Sequence, residues 1–348
     1  MQPDSNCTGN HCTGNGSPGR AKGREDRLIS GFWRRLSAFI IDAAVLAATG
    51  FLAGRIFFDF LAGTGPYGRL IGFVIAMLYF SLLNSSVAGG RTIGKRILKI
   101  RVVDGKGRPI SPARSFIRFL IAGSPFFLNG AMIPPGAMLN PLVSLLIGLV
   151  FFFIGGSILY LYIFNYRTRQ SLHDLVVGSY VVRTGSAQEM TAPPVWKGHF
   201  AAVGLIFAAV VVFTTVVVPG VMGTESFAEL LALQTRIRDT GLVNAAAVTS
   251  GVMYTSKAGG AVKEKTEKTY LSIHAVLKER PADYDRIINI LASIVMDRYA
   301  PVMEKDSVIV NVAYGYDIGI WSSWIRQRRQ LSPGEWKKLL SRYPYPYR

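Results

Sequence analysis

An acidic residue inside an apolar segment is the first feature of this chain that points to chemistry. Asp42 lies one to two turns inside the hydrophobic stretch predicted to form the first helix. An ionised group there is costly unless it is paired or hydrated, and such groups mark ion paths or contacts between helices. Arg35 precedes Asp42 by seven residues, two turns along the same helix face. The two residues predict either an ion or proton site or a buried pair that orients the helix bundle.

A basic loop punctuated by glycines follows the second apolar segment. Residues 89–95 read Gly-Gly-Arg-Thr-Ile-Gly-Lys, the spacing of a phosphate-binding loop up to its lysine. Arg96 then occupies the position where a Ser or Thr would contact magnesium, and the run follows a predicted membrane helix instead of a strand. We therefore exclude a nucleotide site and predict that Arg91, Lys95 and Arg96 contact lipid phosphates.

His173 and Asp174 are adjacent in a basic segment just past a predicted span. A histidine beside an aspartate can relay protons, because its charge changes near neutral pH. The alternative is that the pair caps the following segment or binds a loop arginine. The sequence leaves both interpretations open.

The chain has two cysteines, Cys7 and Cys12, both in its polar, Gly-rich beginning. Together with His11 they lie within six residues, but their spacing matches no strong zinc pattern. We therefore predict no metal site and no cofactor. No nucleophile, metal cluster or pair of acids is evident elsewhere, so we do not expect an enzyme.

The elements that must position these residues are apolar blocks. Half of the 348 residues are hydrophobic, and they are concentrated in segments close to or above the ~18 residues that span a hydrocarbon core. These blocks are Ser37–Phe58, Leu70–Ala88, Phe116–Ile133, Ala137–Phe164 and Phe200–Val218. A soluble core helix has a polar face, whereas the last block has none. The predicted fold class is an α-helical membrane bundle of about five transmembrane helices followed by a small α+β soluble domain.

The third block is the weakest of the five, because it contains Arg118, Pro125 and Asn129. We nevertheless predict that it forms a hairpin with the fourth block. This arrangement keeps residues 91–115 and 165–198 on one side of the membrane, in agreement with their shared basic character.

The basic residues behind the net charge of +18 are concentrated beside the apolar blocks. Residues 1–220 contain 21 Lys and Arg, and nineteen of them fall in the short stretches Arg20–Arg35, Arg91–Arg118 and Arg167–Lys197. These stretches flank the apolar blocks, and basic loops are retained on the cytoplasmic side. The charge therefore indicates membrane topology and not a nucleic-acid partner. It places the N-terminus in the cytoplasm and, after five spans, the C-terminal domain outside it.

After the last apolar block the composition changes to that of a soluble domain. Helices are predicted for Phe227–Asp239, with a capping box at Ser226–Glu229, for Tyr284–Tyr299, and for a short segment that begins at the capping box Ser332–Glu335. Strands are predicted for Asn244–Thr255, Thr269–Leu277 and within Ser307–Trp324.

The predicted organisation has five parts. They are a disordered tail (1–30), a membrane domain (31–184), a linker (185–198), a further transmembrane helix (199–219) and the soluble domain (221–348).

Three motifs in the first half of the chain resemble those of the RDD family of membrane proteins, which is named for one arginine and two aspartates. They are Arg35-x-x-Ala38-x-x-x-Asp42, the run from Gly90 to Asp104, and Gln170-Ser-Leu-His-Asp174-Leu-x-x-Gly178. The resemblance covers about residues 31–184. It implies that Arg35, Asp42 and Asp174 are the family's named residues, and it suggests transport, since some members are linked to sodium/proton exchange.

Two functional hypotheses follow. The first is a transporter or ion (Na+/H+) exchanger in the plasma (inner) membrane of a prokaryote, with Asp42 as the coupling carboxylate and with Arg35 and Asp174 as gate or structural partners. The second is a scaffold or sensor that does not transport, whose extracytoplasmic domain binds a ligand or a protein. The expected partners are membrane lipids and either a second copy of the chain or another membrane protein.

Overall fold

The computed structural model describes residues 29–130, 137, 139–185, 194–256 and 265–342. The helices are α1 (Phe32–Ile56), α2 (Phe58–Gly63), α3 (Gly68–Leu83), α4 (Ile93–Ile97), α5 (Pro112–Leu128), α6 (Pro141–Phe164), α7 (Leu172–Val177), α8 (Lys197–Met222), α9 (Glu225–Asp239), α10 (Tyr284–Arg298) and α11 (Pro333–Arg342). The strands are β1 (Ile100–Asp104), β2 (Ser179–Arg183), β3 (Val243–Ser256), β4 (Lys265–Leu277), β5 (Ser307–Asp317) and β6 (Ser322–Leu331). The predicted tail, with Cys7, His11 and Cys12, lies outside the described residues except for residues 29 and 30, and so does most of the linker 185–198.

Four helices are long and apolar enough to cross a membrane. They are α1, α3 with the turn before it (Gly65–Leu83), α6 and α8. Within their most apolar windows only 11% to 22% is buried inside the chain, and an exposed apolar surface of this extent is typical of contact with lipid. Helix α5 has 17 residues, contains Arg118 and Pro125, and is not among the four. The predicted count of five spans is therefore not confirmed.

Helix α5 nevertheless runs beside α3 between the same two ends of the bundle. Near its start, Arg118 Nε lies 2.8 Å from a carboxylate oxygen of Asp174. Near its end, the carbonyl oxygen of Phe126 accepts a hydrogen bond of 3.2 Å from Arg69, in the first turn of α3. The two helices are therefore antiparallel neighbours of similar length.

The buried stripe of α1 recurs every three or four residues and connects the two ends of the bundle. Its members are Arg35, Ala38, Asp42, Leu46, Gly50 and Gly54. In the middle, Leu46 packs with Ala76 of α3 and with Phe119 and Phe127 of α5. We call the end with Arg35 and Asp42 the polar end and the end with Gly50 and Gly54 the glycine end.

Helices α6 and α8 pack against each other in antiparallel fashion. The Phe153 and Phe207 rings lie 5.3 Å apart, and Tyr160 Oη lies 3.1 Å from His199 Nδ1. Both helices contain a π-helical turn, at Leu149–Ile154 and at Phe213–Val217. Helix α8 carries the chain from the polar end to the C-terminal domain.

A two-stranded sheet covers the polar end, and its partners are far apart in sequence. Strand β1 is followed by the turn Asp104–Gly107, but it pairs with β2 and not with the segment directly after the turn. The reason is burial, because this pairing packs Val102 and Val181 against Ala38 of α1.

The C-terminal domain is a four-stranded sheet in the order β3-β4-β5-β6, with β4 and β5 parallel. Helices α9, α10 and α11 contribute to one hydrophobic core with the sheet, which includes Leu233, Leu291 and Trp336. The predicted helices and strands all form. The capping box at Ser332 is confirmed, since its N–H donates to Glu335 at 2.8 Å. The one at Ser226 is wrong, because α9 begins earlier, at Glu225, with no side-chain cap.

Candidate functional site

Asp174 is the centre of a buried ionic cluster at the polar end. It lies in the first turn of α7 and is 0% exposed. Arg35 Nη2 lies 2.6 Å from Oδ2, Arg118 Nε lies 2.8 Å from Oδ1, and the Ser179 hydroxyl donates to Oδ1 at 2.8 Å. Burial by itself raises the pKa of this carboxyl, but the charges of Arg118 and Arg35 hold the pKa well below its usual range. Asp174 is therefore an anion that ties α1, α5, α7 and β2 together.

The predicted pairing of Arg35 with Asp42 does not occur. Two helical turns place the two residues on one face but roughly 10 Å apart along the axis, so each finds partners in other segments. Arg35 binds Asp174 and the carbonyl oxygen of Arg169, and its guanidinium lies over the Tyr162 ring at 5.7 Å from the ring centre. Arg35 therefore joins α1 to α7 and to the segment that precedes α7.

His173 points its Nε2 towards Asp174 at 3.5 Å, while its Nδ1 is buried without a hydrogen-bond partner. Burial, above all, lowers the pKa of this histidine to about 3, because little solvent remains to stabilise a cation there. The imidazole is therefore neutral at physiological pH. A proton relay through His173 needs a charged form that this site disfavours.

Asp42, unlike Asp174, has uncharged hydrogen-bond partners. It is 1% exposed, and its carboxylate accepts three hydrogen bonds from neutral donors. Tyr79 Oη and the Gly94 N–H donate to Oδ1 at 2.7 and 2.8 Å, and Thr92 Oγ1 donates to Oδ2 at 2.6 Å. None of the ion pairs in the described part of the chain includes Asp42.

Helix α4 and its N-cap bring Thr92 and Gly94 to Asp42, and α3 contributes Tyr79. Thr92 is the N-cap residue of α4, and the Thr92 hydroxyl also accepts the N–H of Lys95. A side chain at Gly94 would overlap the carbonyl oxygen of Ala38, so glycine permits α4 to lie directly on α1. Asp42 therefore joins the basic loop to the first helix.

Lys95 is half-buried and donates a hydrogen bond to the side-chain oxygen of Asn84. Burial and the positive charge of Arg118 lower the pKa of its ammonium to about 7, although Asp42 acts in the opposite direction. The Asn84 side chain is therefore a direct partner of this ammonium. Arg96 is exposed, and Arg91 is half-buried with an Nε that has no hydrogen-bond partner. For Arg91, Lys95 and Arg96 alike, lipid contact remains a prediction.

Sequence reasoning alone does not identify several residues that contact Asp42 or Asp174. Arg118 was read only as a weakness of the third block, although an arginine in an apolar segment needs an acidic partner nearby. Tyr79, Thr92 and Gly94 carry no comparable signal, because a hydroxyl or a glycine is common in any membrane helix or loop.

The oxygen atoms that surround Asp42 are of the kind that bind hard cations. Its carboxylate and the hydroxyl oxygens of Tyr79 and Thr92 converge, and oxygen ligands suit cations such as sodium once the hydroxyl protons turn away. Among the described residues, no group of three His, Cys, Asp or Glu side chains forms a metal site. A single carboxylate among hydroxyl oxygens can take up a proton or bind a small cation.

The first half of the chain is similar to known proteins. The RDD family model matches residues 29–178. Two proteins of Bacillus subtilis (strain 168), both described as uncharacterized, are similar. YxaI is 28% identical over 131 residues, which is 31% of this chain and 86% of YxaI. YckC is 26% identical over 160 residues, 46% of this chain and 88% of YckC. No solved structure matches.

Proposed function

We propose that the membrane domain, in which residues 29–178 match the RDD family model, exchanges monovalent cations for protons across the membrane, with Asp42 as the coupling carboxylate. Arg35 and Asp174 hold the helices in place around it. The proposal concerns the membrane domain, and the C-terminal sheet has a separate role, argued below.

The difference between the two buried aspartates carries the proposal. Asp174 is neutralised by two arginines, so a further cation gains little by binding there. Asp42 is equally buried but has only two hydroxyls and one N–H as partners. A buried carboxylate that forms no ion pair gains stability from binding either a proton or a small cation, and these two compete for the same oxygens.

The test uses purified protein in liposomes that contain a pH-sensitive dye. A sodium gradient imposed on the parent protein is expected to drive proton movement. Asp42→Asn removes the charge, but its amide still accepts from Gly94 and donates to Thr92, so the variant is expected to fold and to lose the flux. Asp104→Asn, in a turn of the basic loop, is the matched control and keeps it. Unchanged flux in folded Asp42→Asn would rule out the proposed role of Asp42.

We also propose that α5 is a fifth crossing, which places the sheet domain on the side opposite the basic loops. The support is geometric, because α5 connects Asp174 at the polar end with Arg69 at the glycine end. The measurement is a single cysteine at exposed Glu279, with Cys7 and Cys12 replaced by serine, labelled with an impermeant thiol reagent in intact cells. Labelling only after lysis would contradict five crossings.

The alternative function is that of a scaffold or sensor that does not transport, and a different observation supports it. The sheet domain contacts the membrane helices directly, through the Arg69–Asp317 ion pair at 2.6 Å. A sensor of this kind would lose its function when residues 221–348 are deleted and would show no flux in liposomes. The flux measurement therefore separates the two functions.

A further inference from the structure

The turn between β5 and β6, Asp317–Trp321, enters the helix bundle at its glycine end. Ile318 is 0% exposed although it lies in a turn, and it packs with Leu61, Tyr316 and the partly buried Ile71. Two hydrogen bonds within the turn stabilise its conformation. The Ile318 N–H donates to the carbonyl oxygen of Trp321 at 3.0 Å, and the Gly319 N–H donates to Asp317 at 2.7 Å.

Glycines of α1 and α3 shape the space that receives this turn. A Cβ at Gly50 would lie 2.7 Å from Cβ of Trp321, and one at Gly68 would lie 2.8 Å from the carbonyl oxygen of Asp317. At Gly72 it would overlap the carbonyl oxygen of Ile318. Real side chains do not approach so closely, so the turn and the two helices are complementary at backbone level.

A third helix completes the enclosure. Gly319 packs against Phe127 of α5, and Arg69 of α3 binds Asp317 through Nη2 at 2.6 Å and Nε at 3.0 Å. The two charged side chains are only 24% and 30% exposed. Below the turn lies the apolar layer of Leu46 and Ala76, and below that layer lies Asp42.

We propose that the Asp317–Trp321 turn is a gate that closes the glycine end of the bundle, and that the Arg69–Asp317 ion pair holds it shut. Asp42 is then separated from the glycine end by two barriers, the turn and the apolar layer. Movement of the sheet domain away from the bundle opens the first of them. This inference concerns access to the bundle interior and does not depend on the proposed exchange.

The experiment measures thiol accessibility, so it needs no knowledge of the transported ion. In a chain with Cys7 and Cys12 replaced by serine, single cysteines are placed at Ile318 in the turn and at Ala76 beneath it, which are both 0% exposed. The purified full chain is treated with an impermeant methanethiosulfonate reagent. Both positions are expected to react slowly while the ion pair is intact.

Asp317→Arg places two guanidinium groups together and is expected to raise the labelling rate at both positions about twofold to fivefold, the range for loss of a partly exposed ion pair. The double variant Arg69→Asp/Asp317→Arg restores an opposite-charge pair and is expected to restore slow labelling. A cysteine at Ser115, 2% exposed near the polar end, reports unfolding and stays unreactive in every variant that is folded.

Three results would overturn the proposal. Fast labelling at Ala76 in the intact chain would show that the turn closes nothing. Reaction at Ile318 but not at Ala76 in Asp317→Arg would show a docked turn that is not a barrier. Slow labelling at both positions in Asp317→Arg would show that the ion pair does not hold the turn. The labelling results do not depend on ion flux. They can therefore be interpreted whether or not Asp42→Asn loses sodium-driven proton movement.

Discussion

The backbone N–H of Gly94 donates a hydrogen bond of 2.8 Å to Oδ1 of Asp42, across 52 residues of sequence. This contact joins the loop that carries the basic motif to the helix that carries the buried aspartate. It makes the conformation of the loop and the state of the carboxylate interdependent, and it leads to the first prediction.

Gly94→Ala is expected to destabilise the protein by about 1–3 kcal/mol, the usual cost of overpacking. The added methyl would overlap the Ala38 carbonyl oxygen and approach Asp42 Oδ1 to 3.1 Å. The measurement is unfolding in detergent. Gly105→Ala, where nothing lies within 4 Å of the added methyl, is the control and is expected to be nearly neutral. Equal stability of the two variants would show that α4 is not held against α1.

The two buried aspartates are expected to respond differently to loss of charge. Asp174→Asn leaves Arg35 and Arg118 without a counter-ion and is expected to cost about 3–5 kcal/mol. Asp42→Asn exchanges charged for neutral hydrogen bonds and is expected to cost at most about 1.5 kcal/mol. Glu279→Gln, at an exposed position, is the control for both. A larger loss for Asp42→Asn than for Asp174→Asn would reverse the assignment of structural and chemical roles.

Lys95 is expected to make stability depend on pH. Its pKa falls from 10.5 to about 7 on folding, so between these values the unfolded chain binds a proton that the folded chain has released. The free energy of unfolding therefore rises with pH between about 7 and 10.5 and is unaffected by this group below pH 7. Relative to Lys95→Met, the rise is expected to be about 2 kcal/mol, after allowance for the solvent around a partly exposed side chain.

The matched control for this pH dependence is Lys106→Met, because Lys106 is exposed in the turn after β1. Its pH profile is expected to follow that of the parent protein. A parent profile that coincides with that of Lys95→Met would show that Lys95 keeps an ordinary pKa.

His173 is expected to contribute nothing to pH-dependent flux at physiological pH. Because its pKa is lowered to about 3, the imidazole stays neutral from about pH 5 to pH 8. His173→Gln is therefore expected to keep the parent's pH profile of sodium-driven proton movement over that range. A shift of the profile by about one pH unit would establish a proton relay through this residue.

Gly72→Ala tests the packing of the sheet domain on the bundle. Alanine is normally the better helix former by about 0.5–1 kcal/mol, and this is the expected gain for Gly204→Ala in α8, where the methyl meets nothing. At Gly72 the methyl overlaps the turn at Ile318, so a loss of about 1–3 kcal/mol is expected. Limited proteolysis of the sheet domain is the second measurement. Similar effects at both glycines would argue against tight docking.

Sequence patterns were sufficient for the features that depend on local composition. Apolar length predicted α1, α3, α6 and α8, since a span needs only enough consecutive apolar residues. The periodicity of apolar residues and the capping patterns predicted the helices and strands of the C-terminal domain. The same reasoning was insufficient for α5, because its 17 residues and Arg118 weaken the hydropathy signal that defines a span.

The sequence by itself determined that this chain has several apolar segments long enough to cross a membrane, and its motifs at Arg35, Asp42 and Asp174 predicted the resemblance to the RDD family that the match over residues 29–178 supports. Only the tertiary structure decided which of these three residues are partners. Arg35 binds Asp174, 139 residues away, and Asp42 binds hydroxyls and an N–H from two other segments. It also decided that β1 pairs with β2 and that the Asp317–Trp321 turn enters the bundle between α1 and α3. The physical reason is that burial and charge pairing act between segments that the fold brings together, whereas hydropathy and helix period act along one segment.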